Sequence, residues 1–370
     1  MNRRAFIKTM VGLGGVALCS SLIESCTQVT PTPIEATSLP ATTRTPLVMD
    51  CVGGCASPTE SVTPLVTQEA LMSQVAFVKT NDRSFGVNLA LDLLEINPIG
   101  GKSLFLKPNF NSADPAPGST HIDTLRALVQ RLQNMGANQI TIGDRSGMGD
   151  TRAAMRDMGI FSLADDLGCE TVVFDELEAG DWEMMQVEGS HWQGGFAVAR
   201  PVLEAEGVVQ TCCLKTHGYG GHFTMSLKNS VGLVAKRVPG ESHDYMSELH
   251  SSPDQRRMIA EINMAYIPDL IVLDGVEAFV SGGPAKGSRV KSNVILAGTD
   301  RIAIDAVGVA ILRYFGTTEA VSQGTIFQQE QISRAVELGL GVTGPEKIEL
   351  ITGDEESEAY AAQISEILTG

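Results

Sequence analysis

Histidine and lysine side chains concentrate in one short stretch of this chain. Four of the six histidines fall between positions 217 and 250, and Lys215 and Lys228 lie in or beside the same stretch. Histidine changes its charge and binds metals near neutral pH, and the lysine ammonium group binds carboxylates and phosphates as a point charge. A solvated surface does not need this combination. We therefore expect the working site in this stretch.

The histidines and Lys228 support more than one chemical role. His217 and His222 flank the glycine-rich segment 218–221, which allows the backbone to approach a ligand closely. We predict that His217, Lys228 and His243 are catalytic, with a histidine as the general base. His217, His222 and His243 are also the candidate metal ligands. Their spacing is not that of a structural zinc motif, and no HExxH sequence occurs.

Polar, turn-rich segments follow four of the predicted strands. Those segments are 107–109, 143–147, 215–217 and the stretch from Asp274 to 287. Because ligands of open α/β sheets bind beyond the carboxyl ends of the strands, we predict that these segments converge on one edge of the sheet. The glycines around Asp144 lack the dinucleotide spacing, so a tight turn is the simpler interpretation than a phosphate loop. The predicted ligand-binding residues are Lys107, Asn109, Asp144, Lys215 and Asn229.

Apolar runs alternate with helical patterns from residue 71 onward. The predicted strands are 102–107, 139–142, 171–174, 207–214, 270–273, 293–297 and 347–351. The predicted helices are 86–95, 120–135, 151–158, 253–266, 301–315, 325–338 and 355–368. Continuously apolar strands separated by helices predict the α/β class, with a mostly parallel sheet and helices on both faces. We predict one α/β domain over residues 71–370, with 182–200 as a candidate smaller subdomain.

The first 70 residues differ in character from the rest. Arg3-Arg4 and the apolar run that follows resemble a twin-arginine export signal, so residues 1–26 are predicted to be a signal peptide. The segment that ends at Cys26 partly resembles a lipobox, which predicts lipidation of Cys26. Residues 27–70 are rich in Thr and Pro and predict a linker. These features predict a protein that meets the twin-arginine export machinery and is held by a lipid anchor alone on the outer face of the cytoplasmic membrane, in the cell envelope.

Composition and cysteine spacing argue against several partners and cofactors. The formal net charge of −17 and the aromatic content of 5% argue against nucleic-acid binding, which favours a basic surface and stacking platforms. Cys51 and Cys55 are close enough for a small disulfide loop, which outside the cytoplasm is favoured over a metal site. The seven cysteines include no run with iron–sulfur spacing, so we expect no ferredoxin-type cluster.

The strand-end motifs resemble those of a known family. Segments 106–109, 142–147, 214–217 and 224–232 are similar to the family numbered 362 among domains of unknown function, over most of residues 75–315. No general activity is established for that family. Some of its members carry iron–sulfur ferredoxin modules, whose cysteines this chain lacks.

A more distant resemblance concerns the order of His217, Lys228, Pro239-Gly240 and His243. It is similar to the order found in the lactate racemase family, whose nickel-pincer cofactor is tethered to a lysine. This resemblance implies Lys228 as the tether, His217 or His243 as metal ligand or base, and transfer of a hydride or proton at a 2-hydroxy acid carbon. The chain departs from that pattern in having Leu227 before the lysine instead of a glycine pair.

The sequence therefore predicts a protein that binds an anionic small molecule or a metal-containing cofactor at a Lys/His-rich site. The cofactor options are a metal ion and a lysine-tethered metallocofactor. If the protein is an enzyme, we expect a metallocofactor-dependent oxidoreductase or isomerase. The alternative is a non-catalytic substrate-binding lipoprotein that uses the same lysines for its ligand.

Overall fold

Buried apolar strands make up the centre of the structure. The computed structural model describes residues 72–147 and 149–370, so the predicted signal peptide, the linker and Cys26, Cys51 and Cys55 lie outside the described residues. The strands are β1 (Ser73–Lys79), β2 (Ser103–Lys107), β3 (Gln139–Asp144), β4 (Glu170–Val173), β5 (Trp182–Met185), β6 (Phe196–Ala199), β7 (Gly207–His217), β8 (His222–Thr224), β9 (Leu270–Gly282), β10 (Gly287–Val290), β11 (Val294–Gly298) and β12 (Ile348–Ile351).

Helices occupy most of the connections between these strands. They are α1 (Arg83–Leu93), α2 (Ile122–Asn134), α3 (Thr151–Asp157), α4 (Ile160–Leu167), α5 (Arg200–Leu203), α6 (Ser226–Asn229), α7 (Tyr245–Ser251), α8 (Gln255–Ile262), α9 (Arg301–Tyr314), α10 (Glu319–Ser322), α11 (Glu330–Glu337) and α12 (Glu355–Thr369). Within the described ranges, no helix has the length and apolar composition needed to cross a membrane.

Ten strands form one sheet: eight of them follow the order β12-β1-β11-β9-β7-β2-β3-β4, while β10 pairs with β9 and β8 pairs with β7 off this path. Strands β5 and β6 form a separate antiparallel pair. Strands β9, β7, β2, β3 and β4 pair with one another in parallel, in that order. Strand β11 runs antiparallel to both β1 and β9. The predicted α/β class with a mostly parallel sheet is therefore confirmed.

Alternate residues of the strands face two different layers of helices. On β1, Phe77 packs with α9, α11 and α12, whereas Ala76 and Val78 pack with α1, α2 and α4. This alternation follows from the two-residue period of a strand. Both faces are covered, which explains why every residue of β7 is buried and why the strands read as continuous apolar runs.

Some elements differ from those predicted. The predicted strand 270–273 continues to Gly282 as β9, because β10 pairs with its second half in a hairpin. The helix predicted over 253–266 is the shorter α8, and α7 precedes it as a separate helix whose N-cap Asp244 accepts from the Ser247 N–H. Strand β1 was not predicted. The candidate subdomain at 182–200 is the β5–β6 pair, which packs on Phe105 of β2.

Candidate functional site

The carboxyl ends of β2, β3 and β7 surround a cavity of about 620 Å³. Strands β7 and β9 extend beyond the neighbouring strands, where they pair with β8 and β10 as two hairpins. These hairpins line two sides of the cavity at the edge of the sheet. The two hairpins meet where the Gly218 N–H donates to the Gly283 carbonyl at 3.2 Å. The structure thus brings the four polar segments singled out in the sequence to one edge of the sheet. The predicted site residues that line the cavity are Lys107, Asn109, Asp144, Lys215, His217, Lys228 and Asn229.

Lys107 and Asp144 form a buried ion pair on the floor of the cavity. The Lys107 Nζ lies 2.8 Å from the Asp144 Oδ1, and the two residues are 1% and 2% exposed. Burial lowers the pKa of Lys107 and raises the pKa of Asp144, while their mutual attraction opposes both shifts. Asp144 also accepts from the backbone N–H of Phe110 and of Arg145. With three donors on one carboxylate, we assign Asp144 the ionised form and a structural role.

Lys215 is fully buried and contacts neutral acceptors. Its Nζ donates to the Asn109 Oδ1 at 3.1 Å, to the Pro284 carbonyl at 3.3 Å and to the Gly118 carbonyl. Burial lowers the pKa of Lys215. Asn109 and Asn229 connect this amine to Lys107, because the Asn109 Nδ2 and the Lys107 Nζ both donate to the Asn229 Oδ1. One hydrogen-bonded network therefore fixes the positions of both lysines.

Arg145 is a third buried cation that lines the cavity, and the sequence analysis did not assign it to the site. Its guanidinium donates to the backbone carbonyls of Val231 and Val234 at 2.6 Å each and to the Ser146 carbonyl at 2.9 Å. These bonds hold the 3-10 turn Ser230–Leu233, which follows α6. The signal for Arg145 was present in the sequence, since it directly follows Asp144 at the end of a strand.

Lys228 differs from the other two lysines in its surroundings. It is 7% exposed, it lines the cavity, and within residues 72–147 and 149–370 no carboxylate or hydrogen-bond acceptor pairs with its Nζ. Burial, together with the positive charges of Lys215 and Arg145, lowers the pKa of Lys228 to about 7. Near neutral pH a large fraction of this amine is therefore unprotonated, with a free lone pair.

Asp305 fixes the segment that carries Lys228. Its two carboxylate oxygens accept from the Ser226 N–H at 2.7 Å and the Leu227 N–H at 3.1 Å. Asp305 lies on α9, so these two hydrogen bonds attach the start of α6 to α9. Burial raises the pKa of Asp305 to about 7. The sequence analysis did not include Asp305 among the site residues.

Two histidines line the cavity, and one of them was not among the predicted site residues. His217 is 8% exposed and its Nδ1 accepts from the Tyr219 N–H at 3.3 Å, which leaves the proton of the neutral ring on Nε2. Burial and the nearby Lys228 and Lys215 lower the pKa of His217 well below its usual range. His250 donates from Nδ1 to the Met246 carbonyl at 2.7 Å, and burial lowers its pKa also. Its place one α-helical turn after Met246 brings it to the cavity, which local sequence did not indicate.

His222 and His243 lie outside the cavity lining, so the structure does not bring them to the site. His222 has a φ of +59°, and its side chain lies near Arg256, Glu330 and Gln329. His243 instead pairs with Glu248 at 2.8 Å and packs edge-on against Tyr245. Neither ring is part of the cavity lining that contains Lys228.

The predicted metal set of His217, His222 and His243 is accordingly not assembled. In the described part of the chain, no group of three His, Cys, Asp or Glu side chains is placed to hold a metal ion. A tethered cofactor would need a free lysine amine, and Lys228 provides one. A tether at Lys228 stays a prediction, because this geometry fits any electrophile that reaches the amine.

The comparisons with known proteins place this chain in a family. The chain belongs to the family described as a domain of unknown function, DUF362, whose family model matches residues 104–310. The matched segment contains Lys107 of β2, Asp144 of β3, Lys215 of β7 and Lys228 of α6. This match confirms the resemblance that the strand-end motifs indicated.

Two known proteins are similar to this chain, one in sequence and one in structure. A thylakoid-associated protein of Synechocystis is 25% identical over 257 residues, which cover 66% of this chain and 75% of that protein. Among solved structures, the lactate racemase apoprotein from Thermoanaerobacterium thermosaccharolyticum is similar with a TM-score of 0.36 and 14% identity. That match covers 58% of this chain and 52% of the racemase chain, so it spans about half of the solved structure. The assignment of the site therefore depends on the geometry of this chain alone.

Proposed function

We propose that the cavity binds a small organic anion. The observation that carries this proposal is the charge balance of the cavity lining. Lys107 and Asp144 neutralise each other, and Asp144 is the one carboxylate among the described lining residues. Arg145 and Lys215 then remain as buried cations that contact neutral oxygen atoms. A buried cation is stabilised most by an opposite charge, and a bound anion supplies it.

The net charge of the chain makes this local excess of positive charge more informative. The protein carries a formal charge of −17, so a positive cavity does not follow from overall composition. Met246, Val231 and Ala285 also line the cavity, and they offer apolar contacts to the carbon skeleton of a ligand. A few polar groups converging in a partly apolar cavity are typical of small-molecule sites.

The experiment is isothermal titration calorimetry of the full chain with oxalate, malonate and inorganic phosphate as probes. The variants are Lys215→Met and, as matched control, Lys347→Met, since Lys347 precedes β12 and is not part of the cavity lining. We expect at least one probe to bind. Loss of a hydrogen bond from a charged group costs about 1.5–3 kcal/mol, so Lys215→Met is expected to weaken binding by roughly tenfold or more.

Proton uptake provides an independent readout of the same proposal. An anion near Lys228 favours its charged form, so binding at pH 8 is expected to take up protons. Titrations in buffers of different ionisation enthalpy measure this uptake. Equal affinities of Lys215→Met and Lys347→Met for the probe, or no heat of binding with any probe, would refute an anion site in this cavity.

Export and lipid anchoring form a separate proposal that rests on the sequence alone. The Arg3-Arg4 pair, the apolar run and Cys26 support transport by the twin-arginine machinery followed by lipidation. Replacing Arg3-Arg4 by two lysines is expected to leave the full chain in the cytoplasm, and Cys26→Ser is expected to remove the lipid mass. Unchanged fractionation and unchanged mass in these variants would refute both steps.

A further inference from the structure

The Lys228 amine is placed to react instead of only to bind. Lys107 has a carboxylate partner and Lys215 donates to three oxygens. The Lys228 Nζ, by contrast, has no such partner in the described part of the chain, and it opens into the cavity although the residue as a whole is more than nine-tenths buried. Holding an amine largely out of water and near other cations disfavours its charged form. Such an arrangement is therefore more informative about function than a lysine held in an ion pair.

The hairpin β7–β8 leaves space for this side chain at a glycine. A Cβ atom at Gly221 would lie 2.6 Å from the Lys228 Cε and 3.0 Å from the His217 Nδ1. The Lys228 stem and the His217 ring therefore both contact the backbone of Gly221, and they lie side by side. Because His217 is neutral and its Nδ1 already accepts the Tyr219 N–H, its remaining ring N–H belongs to Nε2.

We propose that Lys228 forms a Schiff base with an anionic aldehyde or ketone, a compound that carries a carbonyl group next to a carboxylate or phosphate. This inference rests on the proposed anion site, since the cavity cations would bind the acidic group and present the carbonyl carbon to the amine. The general chemistry is nucleophilic catalysis by lysine, whose amine is activated by burial or by a neighbouring cation. Lys228 is largely buried and has Lys215 and Arg145 nearby.

The reaction needs no partner beyond the carbonyl compound and a proton. The Lys228 nitrogen lone pair forms a bond to the carbonyl carbon, the C=O π electrons move to oxygen, and oxygen takes up a proton while nitrogen loses one, giving a carbinolamine. The nitrogen lone pair then expels the hydroxyl group, which leaves as water with one further proton. The product is a protonated imine on Lys228 with no change in oxidation state.

The protonation of Lys228 matches this role. An amine must lose its proton before it adds to a carbonyl, and burial lowers the pKa of Lys228 to about 7. An exposed lysine with a pKa near 10.4 carries roughly a thousandth of its population as free amine at pH 7.4. The initial rate of imine formation at Lys228 should therefore rise with pH and level off above pH 7.

The test is reductive trapping of the full chain with sodium borohydride, followed by peptide mass mapping. Three aldehydes serve as probes: glyoxylate, which carries a carboxylate, glycolaldehyde phosphate, and uncharged glycolaldehyde. We expect the secondary amine at Lys228, with half-maximal labelling at a concentration about tenfold lower for at least one anionic aldehyde than for glycolaldehyde. That difference corresponds to about 1.4 kcal/mol of anion binding. Comparison of the two anionic probes shows whether the carboxylate or the phosphate is preferred.

The control variants separate this inference from the proposed function. Lys228→Arg forms no stable imine under these conditions, so it should lose the label at this position, while calorimetry of the wild type with oxalate, malonate and phosphate reports the anion site independently. Lys347→Met should behave like the wild type. Labelling at Lys228 no faster than at exposed lysines overturns the Schiff-base inference, and if oxalate, malonate or phosphate still binds, the anion site stands. Absence of both labelling and anion binding overturns the two proposals together.

Discussion

Replacing Lys228 by Met is expected to change how the stability of the protein depends on pH. The native amine has a pKa of about 7, against an ordinary lysine value of 10.5. Between these two values the unfolded chain binds more protons at this position than the native chain does. Stability of the wild type therefore rises with pH across this window, and below pH 7 the full cost of charging the buried amine is present and no longer changes with pH. The Lys228→Met variant lacks this contribution.

The size of the effect follows from the two pKa values. The span from about 7 to 10.5 corresponds to about 5 kcal/mol at about 1.36 kcal/mol per pH unit. Over the accessible interval from pH 7 to pH 9.5, about half to two-thirds of this amount accumulates, or ~3 kcal/mol. The free energy of unfolding of the wild type, minus that of Lys228→Met, should increase by this amount over the interval and stay constant below pH 6.

Urea denaturation of the full chain between pH 5.5 and pH 9.5 measures this difference. The m-values of the two proteins must agree, so that the midpoints report stability and not a change in exposed surface. Lys347→Met serves as the control and should follow the wild type in parallel at all pH values. A difference between wild type and Lys228→Met that does not vary with pH would show that Lys228 titrates normally, and the site assignment would lose its reactive amine.

Three further substitutions test how the site is held. Lys107→Met leaves Asp144 buried without its cation, so urea denaturation should show that the free energy of unfolding falls by about 3–5 kcal/mol. Adding Asp144→Asn should restore part of this stability, and no recovery would argue against the ion pair. Asp305→Asn should gain stability relative to wild type as the pH rises from 4 to 7, because burial raises the Asp305 pKa to about 7; the opposite trend would contradict that burial. Gly283→Ala places a Cβ 2.0 Å from a backbone oxygen at a φ of +73°. This substitution should destabilise the chain by more than Gly339→Ala, at a position with a φ of +70° where a Cβ meets open space. Equal unfolding midpoints of the two variants would refute the close approach of the two hairpins.

Several features of the fold could be predicted from the sequence because they depend on local patterns. Apolar runs between helical segments are enough to indicate a covered, mostly parallel sheet. Strand β1 was not predicted from the sequence because its seven residues have polar ends and are not flanked by glycine or proline. The continuation of β9 was also not predicted, since Asp274, Gly275 and Glu277 interrupt its apolar residues and its second half pairs with β10.

Among the site residues too, those that local sequence patterns indicate were predicted, and those that depend on helix packing were not. Lys107, Asp144 and Lys215 could be placed in the site because each follows or ends a strand, and parallel strands end at the same edge. His222 and His243 were grouped with them only because they are close in sequence. His250 and Asp305 were missed because they reach the site from α7 and α9, and nothing in the local sequence indicates where those helices pack.

The sequence by itself determined the class of the fold, the family and the concentration of lysines at the strand ends, since these depend on periodicity and on motifs within single segments. Only the tertiary structure decided how the surroundings of these lysines differ. Lys107, Lys215 and Lys228 are the same residue type, and their chemistry differs because one pairs with Asp144, one donates to neutral oxygens and one faces the cavity without a partner in the described residues. Burial and the position of neighbouring charges set the pKa of an amine, and both arise only when distant segments pack together.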